Sequence, residues 1–81
     1  MNKQKKYGQN FLISTSIAKF IVDAAEITKT DVVYEIGTGK GILVPLLCKR
    51  AKYVITTEID KKLHDDATLN FSKLANLIIK N

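Results

Sequence analysis

Two hydrophobic periods alternate along the chain, and the switches between them predict its elements. Ile17, Phe20, Ile21, Ala24 and Ala25 recur at three and four residues, which places them on one face of a helix. Ser14 or Ser16 can cap its start, and the polar run Thr28-Lys29-Thr30-Asp31 breaks it. A short apolar run from Val32 to Ile36 reads as a buried strand. A second helix is expected over residues 42–51, where Pro45 fits only near the first turn, among amides without an intrahelical partner. Tyr53 to Thr57 reads as a second strand. Asp60 can cap a third helix carrying Leu63, Ala67, Phe71 and Leu74, and Leu77-Ile78-Ile79 begins a third strand. Strands alternating with helices imply an α/β fold with a parallel, doubly wound sheet. The chain shows no repeat, low-complexity segment or internal linker.

The first strand runs into Glu35-Ile36-Gly37-Thr38-Gly39-Lys40-Gly41. Alternating glycines let the backbone turn sharply and approach a ligand, and the amides of such a loop favour polar or anionic groups. A second acidic element, Glu58-Ile59-Asp60, closes the next apolar run. Glu58 follows Gly37 by 21 residues, near the roughly 20 expected between a glycine turn and a carboxylate that binds a ribose hydroxyl. A dinucleotide fingerprint would need a third glycine where Ile42 stands. A phosphate-binding P-loop would need glycine in place of Tyr34 and Ser or Thr in place of Gly41. What remains is G-x-G-x-G preceded by an acid, the pattern typical of enzymes that use S-adenosylmethionine. The alternative is that the three glycines only shape a turn, for which one glycine suffices.

At 81 residues the chain forms at most one domain, and a core of this size is marginal without a partner or ligand. Its 46% hydrophobic and 26% charged content fits a globular protein and not a disordered tail. The net charge of +5 permits a polyanionic partner without requiring one. Cys48 has no second cysteine to pair with, and beside Leu46 and Leu47 it reads as a small buried hydrophobe, in keeping with a reducing cytoplasm. No apolar run reaches the roughly 18 residues of a membrane span, and no signal-peptide core follows the basic start, so no membrane association is expected. His64 has no second histidine at metal spacing and reads as a surface side chain; no metal is implied.

Three motifs in order, Lys6-Tyr7-Gly8-Gln9-Asn10-Phe11-Leu12, Glu35 to Gly41, and Thr57-Glu58-Ile59-Asp60-Lys61-Lys62-Leu63, resemble the opening of the ribosomal RNA adenine N6-dimethyltransferases. The glycine and acid motifs are common to many methyltransferases; the G-Q-N-F-L arm narrows the resemblance to this family. It implies a Rossmann-like parallel sheet of the class I methyltransferases. It also implies that Gln9, Asn10 and Leu12 fold over S-adenosylmethionine, with Gln9 and Asn10 near its methionine part. Gly37 and Gly39 would lie beneath that part, and Glu35 at the pocket edge. Glu58 would accept from the ribose hydroxyls and Ile59 would pack on the adenine. The reaction implied is methyl transfer to adenine N6 of ribosomal RNA, in the cytoplasm. Lys3, Lys5, Lys6 and Tyr7 would touch RNA phosphate or simply solvate the terminus.

Family members continue past the third strand to an acidic adenine-binding loop and an Asn-aliphatic-Pro-aromatic motif that holds the target base. These 81 residues contain only Pro45, in another context. The resemblance therefore implies an arm over residues 1–13 and a partial S-adenosylmethionine-binding domain over residues 14–81, truncated after about the third strand. No catalytic residue is assigned within it. On its own it is expected to transfer no methyl group and to self-associate through the unpaired edge of its first strand. Two other classes stay open: a fragment of a small-molecule methyltransferase, and a non-catalytic chain that binds RNA or a protein partner.

Overall fold

Ser14 starts the first helix, since its side chain accepts from the Ile17 amide at 3.2 Å and satisfies one of the donors left free at a helix start. The computed structural model describes residues 14–81. Helix α1 covers Thr15–Ala24, strand β1 Val32–Ile36, helix α2 Val44–Arg50, strand β2 Tyr53–Thr57, helix α3 Lys61–Asn70 and strand β3 Leu77–Lys80. Pro45 stands at the start of α2, where its missing amide breaks no helical bond. The two helix starts anticipated at Ser14 and Asp60 and the first two strands fall where the sequence places them.

The strands form one parallel sheet in the order β1-β2-β3, with Val33 opposite Val54, Glu35 opposite Thr56 and Val54 opposite Leu77. That register puts Val33, Glu35, Val54, Thr56 and Leu77 on one face. Val54 is fully buried there among Val22 of α1 and Val44, Leu47 and Cys48 of α2, with Phe71 and Leu74 packed against the cluster. Burial of one such side chain contributes about 1.5 to 3 kcal/mol.

The sheet is not doubly wound among the described residues. The strand order advances in one direction without reversing, so right-handed crossovers carry successive helices to the same side. The opposite face carries Val32, Tyr34, Ile36 and Ile78, all exposed, with Ile36 at 86%. β1 also has no strand on its outer edge among these residues.

Helix α1 differs from the sequence pattern in the face it buries. Ala18 and Val22 are buried, whereas Ile17, Phe20 and Ile21 are exposed. Val22 joins Val44, Leu47 and Cys48 of α2 in the core, and the Asp23 carboxylate pairs with Arg50 across the junction. That guanidinium holds Asp23 below its usual range.

Asp60 adopts an extended conformation, and its side chain accepts from the Leu63 amide at 3.0 Å. Asp60→Ala should lower stability by about 1 kcal/mol, which for a domain of this size moves the melting midpoint down by roughly 4 to 8 °C. Thermal melting followed by circular dichroism checks this; an unchanged midpoint would show that the cap is replaced by water at no cost.

Candidate functional site

At the C-terminal ends of the parallel strands, where open α/β sheets bind ligands, the loop after β1 meets the end of β2. Gly37, Gly39 and Gly41 all have positive φ, at 83°, 57° and 80°, which explains why three glycines are needed and not one. The loop folds back onto β2. The amides of Gly37 and Thr38 donate to the Thr57 carbonyl at 2.8 and 3.0 Å, Gly41 donates to the Thr38 carbonyl at 2.9 Å, and Gly39 donates to Glu58 Oε1 at 2.8 Å.

These four amides are therefore used inside the protein, which corrects the expectation that the loop offers its donors to an anion. What it offers is room. A Cβ at Gly37 or Gly39 would meet nothing within 4 Å, so the open side of the loop admits a ligand close to the backbone. A ligand lying over Gly37 and Gly39 would therefore meet open backbone whose amides are already bonded within the protein.

Glu58 is 7% exposed, and both its oxygens are engaged: Oε1 by Gly39 and Oε2 by the Asp60 amide at 3.0 Å. An ionised carboxylate has about four acceptor positions, so roughly two remain for ligand hydroxyls. Glu58 thus latches the loop besides being the candidate ribose acceptor. Ile59 beside it is 93% exposed, an apolar side chain held at the rim of the loop.

Glu35 lies on the covered face of β1 and accepts from the Thr56 hydroxyl at 2.7 Å. Thr56 is in turn 2.7 Å from the Thr38 hydroxyl. Burial pushes Glu35 above the ordinary carboxylate range; the Thr56 hydrogen bond opposes this, and the charge of Glu58 adds to it. Burial, then the charge of Glu35, pushes the Cys48 thiol up, so it is no nucleophile.

The structure brings Glu35, Gly37, Gly39, Glu58 and Ile59 to one end of the sheet. Gln9, Asn10 and Leu12 lie outside the described residues. Sequence reasoning missed Thr38 and Thr56, though β2 carried the signal: inward positions Val54, Thr56 and Glu58 turn polar where a buried face requires apolar side chains. His64 sits on α3 with Nδ1 3.3 Å from Asp65, and no cluster that could hold a metal occurs among the described residues. No described helix is long and apolar enough to cross a membrane.

A family model described as ribosomal RNA adenine dimethylase matches residues 1–80. A ribosomal RNA small subunit methyltransferase A from Lachnoclostridium phytofermentans is 53% identical over 60 residues, covering 74% of this chain and 21% of the relative. An rRNA adenine N-6-methyltransferase from Clostridium perfringens is 48% identical over 63 residues, covering 78% of this chain and 26% of the relative. The chain therefore spans about a fifth to a quarter of the length of these curated relatives. Among solved structures, the 23S rRNA methyltransferase ErmE superimposes with a TM-score of 0.81 at 31% identity, over 86% of this chain and 29% of that one. A dimethyladenosine transferase from Plasmodium falciparum does so with a TM-score of 0.78 at 33% identity, over 86% of this chain and 26% of that one.

Proposed function

This chain belongs to the ribosomal RNA adenine dimethylase family, and from that premise we propose that it forms the cofactor-binding part of an rRNA adenine N6,N6-dimethyltransferase. Use of S-adenosylmethionine is general to the class I methyltransferases whose fold it shares. The cofactor would supply the transferable methyl group on its sulfonium. Gly37 and Gly39 would lie under its methionine end, Glu58 would accept from the ribose hydroxyls, and exposed Ile59 would cover one face of the adenine. Gln9, Asn10 and Leu12 of the arm would close over the same ligand. These residues bind and orient; they move no proton and form no covalent bond to substrate. The partner of the whole protein is ribosomal RNA, and its place of action the cytoplasm.

The single observation that carries this reading is the loop itself: three positive-φ glycines with free space above two of them, latched to a nearly buried carboxylate. Isothermal calorimetry with S-adenosylhomocysteine tests it. We expect weak but measurable binding by the 81-residue chain, in the range of tens of micromolar to millimolar, about −4 to −6 kcal/mol. ATP and NAD should not compete. No heat with S-adenosylhomocysteine, or equal binding of ATP, would refute the reading.

Self-association is proposed on the same footing. The exposed apolar face of Tyr34 and Ile36 and the open edge of β1 are contiguous, and both favour pairing with another chain. The charge of +5 opposes association at low ionic strength, so added salt should strengthen it. Sedimentation at micromolar concentrations, with and without salt, should show a dimer or larger species; a monomer at every concentration and salt level would contradict it.

A further inference from the structure

Thr56 is 0% exposed and its hydroxyl sits in the middle of a chain of three side chains, 2.7 Å from Glu35 Oε1 and 2.7 Å from Thr38 Oγ1. A hydroxyl has one proton to give. When Thr56 donates to Glu35, the Thr38 proton must point at Thr56, and the Thr57 carbonyl, 3.2 Å from Thr38 Oγ1, goes without it. That carbonyl already accepts the amides of Gly37 and Thr38, so nothing is left unsatisfied. Thr38 can turn to Thr57 without setting two bare oxygens face to face only if Glu35 itself carries a proton. Glu35 then donates to Thr56, and Thr56 to Thr38. The order of the hydroxyls and the charge of Glu35 are one variable.

We propose that Thr56 is a positioning residue: its hydroxyl, backed by Thr38, holds the Glu35 carboxylate ionised beside the glycine loop and so lets the site attract the cationic methionine end of the cofactor. The proposal rests on the cofactor reading above. Both S-adenosylmethionine and S-adenosylhomocysteine carry an ammonium group there. Burial disfavours the charged form of Glu35, and the Thr56 hydrogen bond is the contribution that opposes it. The titratable groups that face Glu35 are Glu58 from the end of β2 and Cys48 from α2; no cation among the described residues contributes. A hydroxyl dipole therefore does here what a positive side chain would do elsewhere, without competing for the ligand's ammonium.

Carbon-13 NMR of the Glu35 carboxyl across pH, on the 81-residue chain without ligand, reads the charge directly. Thr56→Val should move its titration midpoint to higher pH, whereas Thr56→Ser, which restores the hydroxyl, should return it to the wild-type value. In calorimetry, Thr56→Val should lose more affinity for S-adenosylhomocysteine near pH 6 than near pH 8, since acid protonates the Glu35 that has lost its hydrogen bond. A Glu35 midpoint unmoved by Thr56→Val, or a loss of affinity equal at both pH values, overturns the proposal. Should Thr56→Val not fold, Thr38→Val decides: it removes the donor into Thr56 and should shift the midpoint in the same direction by less, and no shift overturns the proposal. Failure of the cofactor reading looks different. The wild type would then bind no S-adenosylhomocysteine at any pH while the Glu35 midpoint still moved, which would keep the hydroxyl chain and remove its role toward the ligand.

Discussion

Glu58→Ala should both destabilise the chain and reduce S-adenosylhomocysteine binding below detection. The carboxylate accepts one amide from the glycine loop, Gly39, and one from the start of α3, Asp60, so it ties together the two segments that frame the site. Hydrogen bonds to a charged group contribute about 1.5 to 3 kcal/mol each. Water will satisfy part of what the alanine leaves bare, and removal of a charge near Glu35 gives some stability back, so a net loss of about 2 to 4 kcal/mol is expected. Glu58→Gln keeps the side-chain volume and one oxygen acceptor but turns its NH2 toward one of the two amides that Glu58 accepts. It should therefore lose about 1.5 to 3 kcal/mol, less than the alanine, together with about tenfold or more in affinity. Urea unfolding and calorimetry on both variants read the two effects. If Glu58→Ala binds as the wild type does, Glu58 is a latch only and the ribose contact must be sought elsewhere.

The second large effect is expected at Gly41. A Cβ there would lie 2.7 Å from Phe71 Cζ, so the partly buried ring, which packs against the core, would have to shift. The φ of +80° adds its own strain for any L side chain. Overpacking of this kind costs about 1 to 3 kcal/mol and the backbone strain about 1 to 2, so Gly41→Ala should lose roughly 2 to 5 kcal/mol. A chain of 81 residues has about 4 to 12 kcal/mol in all, so the variant should lose a large share of its stability and unfold at a clearly lower urea concentration. Gly37→Ala and Gly39→Ala meet open space and should lose only the strain, while filling the volume where the ligand is placed. Their signature is lost binding with a smaller loss of stability, the about 1 to 2 kcal/mol of backbone strain alone. Gly41→Ala shows the reverse order of effects. A double variant with Phe71→Leu should recover part of the Gly41→Ala loss; strict additivity of the two would show that the ring is not the obstacle.

The strands, the caps and the glycine loop were legible in the sequence because each has a local cause. Val32 to Ile36 and Tyr53 to Thr57 are short β-branched and aromatic runs, Ser14 and Asp60 are helix caps in chemistry as well as place, and alternate glycines mark a backbone that must adopt positive φ. Spacing also brought Glu58 to the loop, since one crossover carries the chain from the end of one parallel strand to the end of the next. Periodicity located α1 but did not mark its buried face. It registers where apolar side chains recur, and Ile17, Phe20 and Ile21 do recur; which stripe is covered depends on how α1 packs on its neighbours, and the structure covers Ala18 and Val22.

By itself the sequence determined the order of elements, the place of the loop and the family, all properties of residues near one another in the chain or of motifs in fixed order. Only the tertiary structure decided that the helices gather on one face, that the loop's amides are bonded within the protein, and that Thr38, Thr56 and Glu35 form a single hydrogen-bonded chain. The first follows from strand order and the hand of the crossovers, the other two from the register between β1 and β2, which joins residues about twenty positions apart. A slip of one residue in that register would turn Thr56 away from Glu35, so the bonds exist only once the two strands are paired.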